Sequence, residues 1–242
     1  MSDRKLHLAV FGAHIFDAEV TTGAVIAKYT RAGHRATIVH MTPGEKGHPT
    51  LSPSEYEKQK VAETMASAEV LGCDVRIMPY KDGELPMNVE TKLAVADVIR
   101  ELKPDIVITH WNGSFHKDHI NTHHNVVEGI FYAAVPGIKR ELPAHGIKQL
   151  YFADNWEDKL DFETDVFVDV TDTYEIWLEA MSKHALFRGE VSSFRYRDYY
   201  TGLSSVRGAI AGCDRAVAFM LPRFSRMRTY QFFPVEESML IY

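Results

Sequence analysis

Two short segments of the chain carry residues that could together hold a metal ion. In the first, an apolar run of strand length over residues 8–13 ends at His14, and Asp17 follows three positions later. In the second, residues 115–119 contain the pair His116 and His119, within a region where five of the chain's 12 histidines fall between positions 110 and 124. In alternating α/β chains ligands gather at the carboxyl ends of parallel strands, so both segments could meet at one edge of a sheet.

A hydrolytic zinc site needs three protein ligands and one open position for water. His14, Asp17 and one histidine of the 116–119 pair would supply that number. Nitrogen and oxygen ligands without thiolates suit zinc or another divalent first-row ion. Spacing alone leaves the alternative open that each histidine is an ordinary surface or hydrogen-bonded residue.

The surrounding pattern predicts an α/β fold, with a Rossmann-like, mainly parallel sheet flanked by helices. Short connections join alternating strands and helices in the first half of the chain, as in sheets built with right-handed crossovers. We expect strands at about 6–13, 36–40, 74–79, 105–109, 149–153 and 166–170, and helices at 22–32, 52–71, 89–102, 119–133, 171–187 and 201–213. The aromatic, Arg-rich segment from about Leu221 has no clear period and is not assigned.

Composition excludes several classes of function. The net charge is -6 and the basic residues are dispersed, whereas a nucleic-acid surface needs clustered positive charge. Cys73 and Cys213 do not form a disulfide framework or a CxxC motif. No apolar run approaches the ~20 residues that span a bilayer. We therefore expect a cytoplasmic globular protein with no nucleic-acid partner and no membrane span.

Six short segments, read in order, are AHIFDAE (13–19), MTPGEKG (41–47), DGEL (82–85), KPDIV (103–107), HKDH (116–119) and RGAIAG (207–212). In these segments the sequence resembles the LmbE-like, or PIG-L, family of zinc-dependent N-deacetylases. The corresponding family motifs are Ala-His-Pro-Asp-Asp-x-Glu, Leu-Thr-x-Gly-Glu-x-Gly, Asp-Gly-x-Leu, Arg-Pro-Asp-Val-Val, His-Pro-Asp-His and Arg-Gly-x-x-x-Gly. The resemblance implies a single LmbE-like hydrolase domain over residues 1–242.

The same resemblance implies a role for each residue of the two segments. His14, Asp17 and His119 would bind Zn²⁺. His116 would be the imidazolium that stabilises the oxyanion of a tetrahedral intermediate, and Asp118 would orient a histidine by a hydrogen bond. The implied reaction is metal-assisted hydrolysis of an N-acetyl or other N-acyl amide on a small amino-sugar-like substrate.

One position departs from the family pattern. Phe16 stands where the family has the aspartate that acts as general base, a role worth roughly 100- to 10,000-fold in rate. Another carboxylate could take its place, with Glu19, Glu45 and Asp118 as candidates. Glu45 is preferred because its loop follows the second strand at the same sheet edge, although a turn carboxylate is an equal alternative.

Two further interpretations of Phe16 remain. The protein could act on a different bond, with Phe16 as an aromatic wall against the substrate, or it could bind metal without hydrolysing amides. Either would keep the His-Asp-His set while losing the family's usual base.

Other residues could contribute to substrate binding or assembly. Trp111 and Asn112 could bind a sugar, or they could simply anchor their loop. Arg195 could meet an acidic substrate group, or it could lie in a solvated loop. His110, at a strand end, is expected to lie just behind the metal ligands. The aromatic tail from about 221 is expected to pack against another subunit, which predicts a homo-oligomer.

Overall fold

The computed structural model describes residues 4–225, which form a seven-stranded sheet covered by helices. The strands are β1 (His7–His14), β2 (Arg35–Thr42), β3 (Asp74–Ile77), β4 (Ile106–Thr109), β5 (Gln149–Ala153), β6 (Val166–Asp169) and β7 (Ala216–Met220). Their order across the sheet is β3-β2-β1-β4-β5-β7-β6. The first five in that order pair in parallel, and β7 is antiparallel to both β5 and β6.

Helices cover both faces of this sheet. They are α1 (Asp17–Arg31), α2 (Pro53–Leu71), α3 (Val89–Leu102), α4 (Lys117–Ala134), α5 (Tyr174–Met181) and α6 (Tyr196–Ala211), and a short 3-10 turn follows at Arg223–Ser225. One hydrophobic core joins the sheet to α1, α5 and α6, and the other joins it to α3 and α4. Because both faces are covered, β1 is buried along its whole length.

The order of strands places the two histidine-bearing segments together. β1 lies in the middle of the sheet, between β2 and β4. The register pairs Val10 of β1 with Ile38 of β2 and Ile108 of β4, so all three strands end at the same edge. The chain leaves β1 at His14 and enters α1 at Asp17, and it leaves β4 through a loop that reaches α4 at Lys117.

The predicted α/β class and mainly parallel sheet are confirmed, and several boundaries are corrected. The helix predicted over 171–187 is only the eight residues of α5, because the chain turns after Met181. The helix predicted over 201–213 begins earlier, at Tyr196. Strand β7 was not predicted, since a run of five apolar residues does not by itself indicate strand or helix.

Two further predictions concern a membrane span and a contact with another subunit. No helix among residues 4–225 is long and apolar enough to cross a membrane. The segment 230–233 of the aromatic tail lies outside the described residues, so the expected subunit contact there stays a prediction.

Candidate active site

The turn between β1 and α1 holds two of the predicted metal ligands against each other. Asp17 Oδ2 accepts a hydrogen bond from the backbone N–H of His14 at 2.8 Å, and it lies 3.2 Å from His14 Nδ1. This tight turn requires φ of +106° at Phe16, a conformation that bulky residues rarely adopt and that is often found at functional sites. The strained backbone thus directs His14 and Asp17 to one point.

His119, in the first turn of α4, completes the set. Its Nε2 lies 3.5 Å from Asp17 Oδ2. Ligand atoms of His14, Asp17 and His119 all fall within 4.8 Å of one another, and His14 and His119 are buried. This spacing matches three corners of a small coordination polyhedron with ligands about 2 Å from the ion. The structure therefore brings together the three residues that the resemblance implied.

The surroundings of His14 favour a bound cation. Its Nε2 is buried without a well-aligned hydrogen bond, and it faces Asp82 Oδ1 at 3.2 Å and Asp118 Oδ2 at 3.4 Å. Burial alone would lower the pKa of His14, but Asp118, Asp17 and Asp82 outweigh it and raise that pKa well above its usual value. A polar pocket with this excess of carboxylates and an unsatisfied imidazole fits a divalent ion.

Behind the ligands, Asp158 fixes the orientation of two histidines. Its Oδ1 lies 2.9 Å from His119 Nδ1, and its Oδ2 lies 2.8 Å from His110 Nδ1. His110 Nε2 in turn accepts the backbone N–H of Ala13 at 3.0 Å, which requires Nδ1 to carry the proton. A carboxylate that binds Nδ1–H of His119 leaves Nε2 free for a metal, as in many metal sites. His110 thus lies where it was expected, whereas Asp158 was not foreseen.

Glu157 is a second carboxylate that the sequence did not reveal. Its Oε2 lies 3.4 Å from His119 Nε2, and only 14% of its side chain is exposed. Burial, followed by the nearby charges of Asp17 and Asp158, raises its pKa to about 7. The available signal was the acidic segment 154–158, which directly follows β5 at the same edge of the sheet. A carboxyl group with a pKa near neutrality beside the three ligands can both accept and donate a proton.

A cavity of about 210 Å³ opens from the three ligands. Phe16, Asp82, His116, Glu157 and Lys60 all line it. Its aromatic wall is formed by Tyr56, Trp156, Tyr196 and Tyr200. The cavity has room for a small organic molecule, and both polar groups and aromatic rings line it.

Phe16 is part of this wall. Its ring packs edge-on against Tyr196 at 5.1 Å and His184 at 5.4 Å, measured between ring centroids. The ring is 3% exposed. At position 16, where the resemblance implied a missing general base, the side chain is therefore an apolar surface of the cavity.

The other carboxylates considered as a base are engaged elsewhere. Both oxygens of Glu45 accept the backbone N–H of Asp82 at 3.2 Å, and Glu45 is not among the cavity-lining residues. Glu19 is fully buried and accepts Thr64 Oγ1–H at 2.7 Å. Burial opposes ionisation of Glu19, but His40 outweighs it and lowers its pKa to about 2. Asp118 accepts the backbone N–H of Gly83 at 2.6 Å and faces His14.

His116 stands at the cavity wall with one nitrogen fixed. As the residue that caps α4, it accepts the backbone N–H of Asp118 on Nδ1 at 3.2 Å. Its ring centroid is 4.7 Å from that of His14 and 5.0 Å from that of His119. Burial and then the charge of His14 lower the pKa of His116. The ring is then neutral with its proton on Nε2, rather than the imidazolium that the resemblance implied.

Three predicted substrate-binding residues do not line the cavity. Trp111 donates Nε1–H to the backbone oxygen of Leu160 at 2.8 Å and anchors its loop. Asn112, in the same loop, is partly exposed. Arg195 is 82% exposed and pairs with Asp198 one helical turn away. Of the four residues predicted to bind substrate, only Phe16 lies in the cavity.

Comparison with known proteins identifies the family of the chain. A family model described as GlcNAc-PI de-N-acetylase (PIG-L) matches residues 9–130, half of the chain and the part that holds His14, Asp17 and His119. The chain belongs to the PIG-L family. PIG-L relatives include both deacetylases and a hydratase.

Two curated relatives and one solved structure illustrate this range. The chain is 24% identical to a 4-oxalmesaconate hydratase from Pseudomonas putida over 84% of this chain and 80% of the relative. It is 25% identical to a diacetylchitobiose deacetylase from Thermococcus kodakarensis over 76% of this chain and 78% of the relative. The crystal structure of 4-carboxy-2-hydroxymuconate hydratase from Pseudomonas putida superposes with a TM-score of 0.84 at 21% identity, covering 95% of this chain and all of that chain. The last likeness establishes the fold alone.

Proposed function

We propose that this PIG-L protein is a zinc-dependent hydrolase that removes an N-acyl group, such as N-acetyl, from a small amino-sugar-like molecule. The observation that carries the proposal is the Glu157 carboxyl group, 3.4 Å from His119 beside the His14, Asp17 and His119 set. Deacetylases of acetylated amino sugars among the relatives support the choice of bond.

His14, Asp17 and His119 would hold the ion, and two imidazoles with one carboxylate suit Zn²⁺. When bound, such an ion polarises an amide carbonyl and lowers the pKa of water. Asp158 keeps His119 in the tautomer that a metal requires, by accepting its Nδ1–H. Asp82 and Asp118 lie beside His14 Nε2 and add negative charge next to the ion.

Glu157 is the base in this proposal, in place of the residue that Phe16 has replaced. Its carboxylate accepts the proton of the attacking water, and the resulting carboxylic acid returns a proton to the leaving amine. Without a metal the pKa of Glu157 is raised to about 7, and a bound cation would shift it toward the ionised form that accepts the proton of water. Glu45 and Glu19 lie outside the cavity lining, so we assign them to the support of the surrounding loops and helices.

His116 supplies a hydrogen bond to the oxyanion of the tetrahedral intermediate. Its Nδ1 is held by the backbone N–H of Asp118, which leaves Nε2–H available as the donor. A hydrogen bond aimed at a developing negative charge lowers the barrier more than one to the ground-state carbonyl.

A second candidate is the addition of water to a carbon–carbon double bond in an unsaturated carboxylate. Phe16 favours it, because the replaced aspartate is the residue that amide hydrolysis in the family depends on. Glu157 could deliver and remove the protons of this reaction as well. The hydratase relative, which matches 84% of this chain, supports keeping it as the alternative.

The two candidates are separated by assaying the zinc-loaded protein on both kinds of substrate. Acetate release from N-acetylglucosamine and its disaccharide reports hydrolysis, and loss of ultraviolet absorbance of a conjugated dicarboxylate reports hydration. Hydrolysis predicts acetate release that falls by about 100-fold or more in Glu157→Gln and is unchanged in the exposed control Glu57→Gln. Hydration without acetate release would refute the hydrolase proposal.

A further inference from the structure

The wall of the cavity contains a buried lysine that the proposed chemistry does not use. Lys60, on α2, is only 5% exposed. It is the single lysine or arginine among the described residues that line the cavity. A lysine is almost never buried this deeply unless its charge has a partner.

The ammonium group lies close to the metal site. A Cβ atom placed on Gly44 would be 2.9 Å from Lys60 Nζ and 3.0 Å from His14 Cβ. Gly44 also has φ of +73°, so only glycine fits here without strain and without displacing one of the two neighbours. The backbone at Gly44 therefore leaves the ammonium and a metal ligand as near neighbours along one wall.

Within residues 4–225, no carboxylate lies within 4.0 Å of Lys60 Nζ, and Nζ lies over the Tyr56 ring, 5.3 Å from its centroid. Four carboxylates act on Lys60 by their charge, and all of them have other direct partners: Asp17, Asp82, Glu19 and Glu63. Asp17 contacts His14, and Glu19 accepts from Thr64. Asp82 accepts the backbone N–H of Lys46 and faces His14, and Glu63 accepts from Gln59 and from the backbone of Ala185.

Leaving a charge buried without a direct ion pair is unfavourable. An anion that entered the cavity would satisfy it. A neutral sugar would not, since its hydroxyl groups provide no compensating charge.

We propose that Lys60 binds a carboxylate group of the substrate, next to the bond that reacts at the His14, Asp17 and His119 site. The inference rests on the proposed function in placing the substrate in this cavity, and it narrows the substrate class to N-acylated molecules that also carry a carboxylate. An acidic amino sugar satisfies both requirements. Trp156 and Tyr196 then pack against the sugar ring, and Lys60 selects the acid.

The test compares two probes that differ by one carboxylate-bearing group, N-acetylmuramic acid and N-acetylglucosamine. Their binding to the zinc-loaded full chain is measured by isothermal titration calorimetry at pH 7. We expect the acid to bind at least about tenfold more tightly, as for a hydrogen bond between charged groups. Lys60→Met should abolish this preference, and Lys60→Arg, which keeps the cation, should retain part of it.

Lys58→Met provides the matched control, because Lys58 is exposed on the same helix. It should keep the full preference for the acid. Equal binding of both probes by the unaltered protein would overturn the inference. So would an unchanged preference in Lys60→Met, which would mean that the metal or another group binds the carboxylate and that Lys60 only balances internal charge.

Preference for the acid and acetate release are separate readouts. A Lys60-dependent preference in a protein that releases no acetate would leave the carboxylate site standing and refute the hydrolase proposal. Acetate release without any preference for the acid would support the hydrolase proposal and refute the carboxylate site at Lys60.

Discussion

Glu157→Gln should change how the stability of the metal-free protein depends on pH. The Glu157 carboxyl group is buried, with the charges of Asp17 and Asp158 nearby, and its pKa rises from 4.5 to about 7. The folded protein therefore holds this proton more tightly than the unfolded chain does. The protonated Glu157 carboxyl group contributes to the free energy of unfolding below pH 4.5. This contribution is lost as the pH rises through 7, because Glu157 ionises more easily in the unfolded chain. Glutamine keeps the shape of the side chain and does not titrate.

The expected size follows from the two pKa values. At about 1.4 kcal/mol per pKa unit, a change from 4.5 to about 7 corresponds to about 3 kcal/mol of unfolding free energy. Roughly 2.5 kcal/mol of that falls between pH 5 and pH 8.5. Because 14% of the Glu157 side chain is exposed, solvent screening does little to reduce this figure.

The assay is urea unfolding of the chelator-treated protein and of Glu157→Gln at pH 5 and pH 8.5. The stability advantage of the variant over the unaltered protein should be about 2.5 kcal/mol larger at the higher pH. Glu57→Gln, at an exposed position on α2, should show no such difference between the two pH values. An advantage of Glu157→Gln that is the same at both pH values would refute the assigned electrostatics. Saturation with Zn²⁺ should shrink the effect, since a cation beside Glu157 favours the ionised carboxylate.

Three other substitutions test separate parts of the site. Asp158→Asn should weaken zinc binding by about 10- to 100-fold, because it disturbs the hydrogen bond to His119. Competition with a metal-binding dye measures the zinc affinity. An unchanged affinity would contradict the role of Asp158 in orienting His119. Phe16→Asp should destabilise the protein by about 3 kcal/mol or more and add no acetate release, because it replaces a buried ring beside Tyr196. A gain of acetate release would instead mean that the parent lacks a base. Glu45→Gln should keep most of the activity in steady-state kinetics, because Gln can still accept the Asp82 N–H through its carbonyl oxygen. A loss of activity as large as that of Glu157→Gln would make Glu45 the base.

The α/β architecture was accessible from the sequence because strand and helix patterns alternate with short connections. The strand β1, its following turn and the helix α4 were each recognisable from an apolar run and from histidine spacing. The parallel order of β1 and β4 then brings His14, Asp17 and His119 to one edge. The apolar run of β1, the histidine spacing in α4 and the common edge of parallel strands were therefore sufficient to bring these three residues together in the prediction.

Asp158 and Glu157 were not accessible in the same way. Their loop follows β5, and only the pairing of β5 with β4 brings it beside His119. Nothing in a run of acidic residues distinguishes a solvated loop from one that turns into a buried site. The insertion of β7 between β5 and β6 was missed for a related reason, because its five apolar residues fit several kinds of element.

The residues predicted to bind substrate show another limit of sequence patterns. Trp111 and Arg195 both carry groups that commonly bind ligands, yet one donates to the Leu160 carbonyl and the other points to solvent. The cavity instead uses Trp156 and Tyr196, whose positions depend on how α6 and the loop after β5 pack. Side-chain type indicates what a residue can bind, and packing decides whether it faces the cavity.

The most direct test of the account is the metal content of the purified chain and of His119→Ala, measured by elemental analysis after dialysis against Zn²⁺ and then metal-free buffer. We expect one tightly held zinc ion per chain in the unaltered protein and almost none in the variant. Zinc retained equally by both proteins, or by neither, would contradict a site built from His14, Asp17 and His119.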